Sequence, residues 1–286
     1  MVQLKTPDPN GELNAGVLQD LLRSLRLFTL AEDLPAILEE AAREGWGNLE
    51  FLRELFGREG VRQSNRRYQR HLRASGIADS YGLDHFNFEL ASARGVKSTL
   101  VRDLAKGDFI RSRRNLILAG RVGTGKSYLA KTLGAEALKR GFKVYFYNTA
   151  RLLDMLYSKV NSPEFGKVYS RIRDVDLLIL DDLAYMSYSK EKIEYLFTLA
   201  VDRYDLKPGS TVITTNTEVT EWWKFFPSKA MGMAFSDRLL DGAQGIRFTG
   251  PSIRQERSCG HRELAPEDGG SESEKGDAQE EVKKKK

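Results

Sequence analysis

The sequence predicts an α/β fold in which helices cover both faces of a parallel five-stranded sheet, preceded by a small all-helical domain. From residue 116 onward, short apolar runs alternate with longer runs of helical periodicity, which is typical of strands joined by right-handed crossovers. Before residue 85, leucines recur at helical spacing instead. A glycine-rich loop joins the first apolar run to a helix, as in parallel sheets that bind phosphates.

The helical domain, residues 1–85, is predicted from apolar side chains that recur three and four residues apart. These side chains are Leu18, Leu21, Leu22, Leu25, Leu27, Leu34, Ile37, Leu38, Leu49, Phe51, Leu52, Leu55 and Phe56. Phe86-Asn87-Phe88, with Gly82 and Gly95 nearby as helix breakers, marks a linker into a second domain at residues 86–258.

The last helix of this first domain, residues 58–75, carries a row of arginines. They are Arg58, Arg62, Arg66, Arg70 and Arg73. At 100° per residue they span about 120° of the helix circumference. Such a row fits the phosphates of DNA, although a solvated face whose arginine stems cover apolar surface is the alternative. Because Glu59 is the only acid in this helix, we expect the row to be mostly unpaired.

The glycine-rich loop covers residues 120–127, the phosphate loop below, and fits the pattern G-x-x-x-x-G-K-[ST] in full. It follows a strand at residues 116–119 and opens a helix at residues 127–140, so it is predicted to bind a nucleoside triphosphate rather than to be a simple turn. Lys126 would reach the β- and γ-phosphates, and the Ser127 hydroxyl would hold Mg²⁺. The predicted nucleotide-binding residues are Gly120, Arg121, Val122, Gly123, Thr124, Gly125, Lys126, Ser127 and Tyr128.

An apolar run at residues 176–182 ends in two carboxylates and predicts a strand buried on both faces. Its carboxyl end would lie in the crevice where doubly wound sheets bind ligands. Asp181 is placed to hold Mg²⁺, and Asp182 to orient or deprotonate an attacking water. Two acids in a solvated turn are the alternative, but about fifty residues after a phosphate loop they are better explained as its partner.

The other predicted strands cover residues 143–147, 210–215 and 245–249, and the other predicted helices cover residues 150–159 and 191–204. A basic helix precedes the acidic strand, and two short helical runs precede the last strand.

Composition restricts the remaining possibilities. The 286 residues are 41% hydrophobic with a net charge of +5, which is ordinary for a soluble protein with one large domain and a smaller one. One cysteine, Cys259, excludes an internal disulfide, and the scattered histidines form no metal-ligand motif. Neither a signal peptide nor a membrane span is evident, so we expect a cytoplasmic protein without a membrane partner. The charged residues 259–286 are predicted to be disordered.

Six motifs follow one another along the chain. They are Gly-Lys-Ser-Tyr-Leu-Ala (125–130), Asp-Leu-Leu-Ile-Leu-Asp-Asp-Leu-Ala-Tyr (176–185), Asp-Arg-Tyr (202–204), Thr-Thr-Asn (214–216), Asp-Arg-Leu (237–239) and Gly-Pro-Ser-Ile-Arg (250–254). In this order they resemble the IstB-like ATPases, helpers of bacterial insertion-sequence transposases in the AAA+ clade that also holds DnaC-type helicase loaders. The resemblance implies a three-layer P-loop AAA+ domain that uses ATP and Mg²⁺.

The resemblance also implies roles for single residues. Asn216 would be a sensor that hydrogen-bonds the γ-phosphate or the attacking water. Arg238 would be an arginine finger that acts across a subunit boundary, which implies a self-oligomer. Arg254 would be a second sensor at the nucleotide. Residues 150–173 correspond to an insertion that lines a DNA-binding surface, with Lys159, Lys167, Arg171 and Arg173 as contacts.

The function implied is a DNA-stimulated ATPase that assembles on duplex DNA with ATP, recruits or activates a transposase and disassembles on hydrolysis. A loader that places a replicative helicase on single-stranded DNA is one alternative. The other is a nucleotide-dependent switch that hardly hydrolyses. That second alternative depends on Asp182, where the family usually has glutamate, because the shorter side chain places its carboxylate ~1 Å farther from the water.

Overall fold

The computed structural model describes residues 14–183 and 188–255, and these contain eleven α-helices and five strands. The helices are α1 (Ala15–Ser24), α2 (Phe28–Glu44), α3 (Asn48–Ser75), α4 (Phe88–Ser92), α5 (Ser98–Ala105), α6 (Asp108–Arg111), α7 (Lys126–Lys139), α8 (Thr149–Lys159), α9 (Phe165–Arg173), α10 (Lys190–Leu206) and α11 (Lys229–Leu240). The strands are β1 (Leu116–Gly120), β2 (Val144–Asn148), β3 (Leu177–Asp181), β4 (Ser210–Thr215) and β5 (Gln244–Phe248). Two 3₁₀ segments cover Leu83–His85 and Val219–Phe225.

The five strands form one parallel sheet in the order β2-β3-β4-β1-β5, so the predicted fold class is confirmed. Every residue of β3 and β4 is buried, which explains why their sequences read as continuous rather than alternating apolar runs. Alternate residues of β1 enter opposite cores. Leu116 and Leu118 pack on the α7 side, whereas Ile117 packs on the side of α8, α10 and α11.

The strand register brings several carboxyl ends to one edge of the sheet. Gly120 at the end of β1 pairs with Phe248 of β5, and Ala119 pairs with Thr215 of β4. On the other side of β4, Leu180 of β3 pairs with Ile213. The phosphate loop, the two aspartates at the end of β3 and Asn216 after β4 therefore lie at the same edge of the sheet, which is where such sheets bind ligands.

The N-terminal helices share a small core of their own. Its buried residues are Leu30, Leu34, Ile37 and Leu55. The helix predicted at residues 58–75 is the second part of the longer α3, and Leu72 near its C-terminal end enters the core of the sheet domain. Because α3 contributes to both cores, the helical region is attached to the sheet domain by packing as well as by the chain. The domain boundary at residue 85 stays a prediction.

Residues 86–111 contain helices that the sequence did not predict. After the Phe86-Asn87-Phe88 linker, α4, α5 and α6 add Ala91, Val101 and Phe109 to the core on the α7 side. These helices have only four to eight residues each, which is too short for a helical period to become visible in the sequence. Conversely, the second short run predicted before β5 is the three-turn helix α11, which has 12 residues.

Two further expectations concern membrane-spanning helices and the C-terminal tail. None of the helices in residues 14–183 and 188–255 combines the length and the apolar character that crossing a membrane requires. The tail predicted to be disordered, residues 259–286, lies outside the described residues.

Candidate nucleotide-binding site

The phosphate loop connects β1 to α7 through backbone conformations that favour glycine. Gly120, Gly123 and Gly125 have φ of 152°, 81° and 99°, in the region that side chains rarely adopt. A Cβ on Gly123 would lie 2.0 Å from Ser252 Oγ, and one on Gly120 would lie 2.5 Å from the carbonyl oxygen of Phe248. Glycine is therefore required both by φ and by the close approach of the end of β5 and of the segment that follows it.

Lys126 begins α7 and folds over the loop. The residue is 5% exposed, and its Nζ donates hydrogen bonds to the carbonyl oxygens of Gly120 at 2.7 Å and Arg121 at 2.8 Å. Burial lowers the pKa of Lys126, while the negative charges of Asp182 and Asp181 act in the opposite direction. The ammonium group thus lies within the loop that would surround a phosphate, with the two predicted carboxylates close enough to influence it.

Thr214 connects Asp181, the last residue of β3, with Asp182, the next residue. Its Oγ1 donates to Asp181 Oδ1 at 2.6 Å and accepts the backbone N–H of Asp182 at 2.9 Å. Asp182 has φ of 55°, a left-handed conformation that aspartate tolerates better than most residues. Burial raises the pKa of the Asp182 carboxyl, and the neighbouring charge of Asp181 raises it further. A carboxylate with a raised pKa is suited to accept a proton from water.

The segment after β5 packs directly on the phosphate loop. The backbone N–H of Ile253 donates to the carbonyl oxygen of Gly123 at 2.9 Å. The positive charge of Arg254 opposes the rise in the pKa of Asp182 and contributes to the lowered pKa of Lys126. Arg254 therefore lies beside the loop and the acids, the place where the resemblance puts a second sensor. That role stays a prediction.

Asn216 follows β4, the strand that pairs with β1, and it is exposed at the same edge of the sheet. Its Oδ1 accepts a hydrogen bond from Thr217 Oγ1 at 3.3 Å. The structure thus brings Asn216 to the edge that carries Lys126 and the aspartates, and its role as a sensor stays a prediction.

The donor set fits ATP with Mg²⁺. The loop offers a cradle that Cβ atoms would fill, and Lys126 offers a cation for the outer phosphates. Ser127 and Asp181 offer hard oxygen ligands, and Mg²⁺ in such sites takes one or two protein oxygens together with phosphates and water. The described part of the chain has no group of three or more His, Cys, Asp or Glu that could hold a metal ion.

Arg238 lies at the opposite edge of the sheet. It is on the last turn of α11, and the next residue, Leu239, accepts a hydrogen bond at 3.1 Å from the side chain of Asn115, which immediately precedes β1. Arg238 Nη1 donates to the carbonyl oxygen of Ala234 at 2.9 Å, and its guanidinium lies 6.0 Å from the ring centres of Phe197 and Tyr204. A five-residue strand spans roughly 16 Å, so Arg238 does not reach the phosphate loop of the same chain.

The expectation that the arginine row on α3 is mostly unpaired is wrong for its first part. Arg58 contacts Glu40 at 2.8 Å, and Arg62 forms an ion pair with Asp33. Both acids lie on α2, which packs against the first part of α3, so counting acids within α3 alone missed them. The next arginine in the row, Arg66, donates to Thr29 Oγ1.

The last part of the row differs. Arg70 and Arg73 are exposed, and neither takes part in an ion pair within the described ranges. Arg67, which the sequence did not assign to the row, is also exposed and donates to the carbonyl oxygen of Gly141 at 3.1 Å. DNA contact by the whole row stays a prediction, and the exposed part is the better candidate.

The helices α8 and α9 correspond to the predicted insertion. Lys167 and Arg171 are exposed, whereas Arg173 pairs with Asp174 through bonds of 2.7 and 2.9 Å. Lys159 lies 3.9 Å from Glu164, which is a weak contact. Contact of these four cations with DNA stays a prediction.

Sequence reasoning missed two groups at the site. Thr214 belongs to the Thr-Thr-Asn motif, of which only Asn216 was given a role, and a hydroxyl at the end of a buried strand was the available signal. The contact of Ser252 with the loop could not be predicted from spacing, because it depends on where the chain turns after β5.

Proteins similar to this chain include ATP-binding proteins of insertion sequences. A family model described as IstB-like ATP binding protein matches residues 20–260. An insertion-sequence ATP-binding protein of Sinorhizobium fredii is 33% identical over 236 residues, or 82% of this chain and 78% of that protein. An IS21-like insertion-sequence ATP-binding protein of Bacteroides fragilis is 32% identical over 239 residues, or 84% of this chain and 89% of that protein. Among solved structures, the DnaC helicase loader is 22% identical, covers 53% of this chain and 87% of its own, and has a TM-score of 0.47.

Proposed function

The chain belongs to the family of IstB-like ATP-binding proteins, and from that premise we propose that it is an ATPase that assembles on duplex DNA and there recruits or activates a transposase. The observation that carries hydrolysis is the meeting of Lys126, Asp181 and Asp182 at one edge of the sheet. The link to transposition is supported by the names of the relatives, which are ATP-binding proteins of insertion sequences.

In this proposal each group at the site has a separate task. The backbone N–H groups of the loop bind the phosphates, and Lys126 neutralises the charge of the outer ones. Ser127 and Asp181 would hold Mg²⁺, which supplies further charge neutralisation for the transferred phosphoryl group. Asp182 orients the attacking water and accepts its proton, a task to which its raised pKa is suited. Asn216 and Arg254 contact the end of the triphosphate.

Assembly is supported by the position of Arg238. Because Arg238 lies at the edge opposite the phosphate loop, it is available to a neighbouring subunit rather than to its own nucleotide. ATP would then be bound between two subunits, and loss of the γ-phosphate would weaken that contact and release the complex. The exposed cations on α3 and α9, led by Arg70 and Lys167, are the proposed DNA contacts.

One observation favours a second candidate, a switch that binds ATP but hardly hydrolyses it. Asp182 is shorter than the glutamate usual in this family, and its backbone is held in a left-handed conformation by Thr214. In that case Asp182→Glu would raise the turnover many-fold, provided that the longer side chain reaches the water.

Steady-state ATP turnover tests the proposal. It is measured without DNA, with saturating duplex and with saturating single strands, and Lys126→Ala serves as the blank. Turnover raised by duplex supports the transposase helper, and turnover raised only by single strands supports a helicase loader instead. ATP binding without turnover under any of these conditions supports the switch.

A second measurement addresses the partner. A transposase from an insertion sequence that encodes one of the relatives is mixed with the chain on duplex DNA, with ATP or with ADP. Assembly of the two proteins on DNA with ATP but not with ADP supports recruitment of the transposase. Equal assembly with ATP and with ADP contradicts the proposed role of ATP.

A further inference from the structure

Thr214 makes three hydrogen bonds with the acidic segment at the end of β3. The residue is fully buried at the end of β4. Its hydroxyl donates to Asp181 Oδ1 at 2.6 Å and accepts the N–H of Asp182 at 2.9 Å, and its carbonyl oxygen accepts the N–H of Leu183 at 3.0 Å. One residue therefore fixes three consecutive residues of the neighbouring strand end.

The hydroxyl has only one possible arrangement here. A backbone N–H can only donate, so Thr214 Oγ1 must accept from Asp182, and its single proton must point to Asp181 Oδ1. One of the two lone pairs of Oδ1 is thereby engaged, whereas Oδ2 accepts no hydrogen bond from the described residues and is the more available oxygen of Asp181 for another ligand. The main chain of Asp181 is fixed from the opposite side, because Thr149 Oγ1 donates to its carbonyl oxygen at 2.9 Å.

The hydrogen bonds from Thr214 also hold the unusual backbone conformation of Asp182. Asp182 has φ of 55°, and a residue other than glycine keeps such a conformation only where its surroundings determine it. Here the N–H of Asp182 is bonded to the hydroxyl of Thr214 and the next N–H to its carbonyl. Backbone pairing of β3 with β4 ends at Leu180, so the threonine side chain replaces the ladder at the point where the carboxylates begin.

We infer that Thr214 is a positioning residue that sets the orientation of both Asp181 and Asp182 for ATP hydrolysis. The inference rests on the proposed function, because it assumes that these two carboxylates serve the hydrolytic site. It also explains why a threonine stands two residues before Asn216: the Thr-Thr-Asn motif supplies a clamp for the acids as well as a polar group for the nucleotide.

The test compares Thr214→Val with Thr214→Ser. Valine keeps the shape but removes the hydroxyl, so Asp181 loses a donor and the N–H of Asp182 loses its acceptor. A displacement of about 1 Å at a reacting group lowers rates by about 100-fold, and we expect a fall in kcat of that order. The affinity for ATP without Mg²⁺ should change by less than about threefold, because the phosphate loop is untouched. Serine keeps the hydroxyl and should retain a kcat within about fivefold of the unaltered chain.

A readout separate from turnover is the gain in ATP affinity that Mg²⁺ produces. If Thr214 orients Asp181, this gain falls in Thr214→Val and persists in Thr214→Ser. Should the valine variant fail to fold, Thr214→Ala and Thr214→Ser form a second pair that differs by one hydroxyl, and the same differences in kcat and in the Mg²⁺ gain are expected between them.

Thr132→Val is the matched control. Thr132 is a fully buried threonine on α7 whose hydroxyl has no hydrogen-bond partner in the described part of the chain, so valine should leave kcat and the Mg²⁺ gain unchanged. The inference would be overturned if Thr214→Val had the same kcat as Thr132→Val and the same gain in ATP affinity from Mg²⁺. Asp182→Asn distinguishes this outcome from failure of the proposed function. If Asp182→Asn hydrolyses ATP normally, the assignment of Asp182 to hydrolysis is wrong. The gain in ATP affinity from Mg²⁺ then decides the role of Thr214 by itself.

Discussion

The charged side chains of Lys126 and Asp181 are buried at the phosphate-loop edge of the sheet, whereas those of the arginine row on α3 lie near the surface. At the sheet edge, Lys126 and Asp181 are buried and fixed by hydrogen bonds to loop carbonyls and to Thr214. On α3, the charges lie near the surface, and their environment changes along the helix from paired at Arg58 to exposed at Arg70. Function at the first region depends on geometry, whereas function at the second depends on how many cations remain available to a partner. The variants below test this difference.

The largest expected effect is that of Lys126→Ala. Removing a buried cation from within the phosphate loop should abolish measurable ATP binding, since Lys126 would be the main counter-charge for the outer phosphates. Binding of a fluorescent ATP analogue is the measurement. Lys106→Ala is the control, because this exposed lysine forms a surface pair with Asp103, and such pairs contribute little. ATP binding by Lys126→Ala at the strength of the control would remove the phosphate loop as the nucleotide site.

Arg238→Ala is expected to bind ATP normally and to lose turnover by about 10³-fold, as for other arginines supplied in trans. Because Arg238 lies away from its own phosphate loop, a mixture should recover activity. Arg238→Ala subunits bind ATP, Lys126→Ala subunits supply an intact Arg238, and the mixed interface combines both. Turnover of the mixture is measured against each variant alone. Normal hydrolysis by Arg238→Ala alone would show that the arginine-finger assignment is wrong.

Gly123→Ala should weaken ATP binding about tenfold or more. Its φ of 81° strains any side chain, and the new Cβ would lie 2.0 Å from Ser252 Oγ. Gly57→Ala is the matched control within α3, where nothing lies within 4 Å of the added methyl group. The control should raise the free energy of unfolding by about 1 kcal/mol, because alanine is the better helix former. The stability of both variants is measured by urea unfolding, and their affinity for ATP by titration. An equal loss of ATP affinity in Gly123→Ala and Gly57→Ala would contradict the predicted role of Gly123.

The difference between the phosphate-loop edge and the arginine row also explains which features could be predicted from the sequence. The alternation of strands and helices from β1 onward, the phosphate loop and the acids at the end of β3 were predictable, because each depends on a contiguous pattern and on the rule that parallel strands share a carboxyl edge. The ion pairs of Arg58 and Arg62 were not, because their partners come from α2 and depend on how two helices pack. The clamp formed by Thr214 lies between these cases: the residue was visible, but its contacts depend on the register of β3 with β4.

The smallest expected effects distinguish the two parts of the arginine row. Arg70→Ala removes an exposed cation, so the affinity for duplex DNA should fall and the slope of its salt dependence should decrease by about one. Arg58→Ala removes a partly exposed ion pair with Glu40, so it should cost about 0.5 kcal/mol of stability and change the DNA affinity little. Duplex titrations at several salt concentrations and urea unfolding of both variants are the measurements. Equal loss of DNA affinity in the two would mean that Arg58 exchanges Glu40 for phosphate on binding, and that the pairing seen along α3 does not decide which arginines contact DNA.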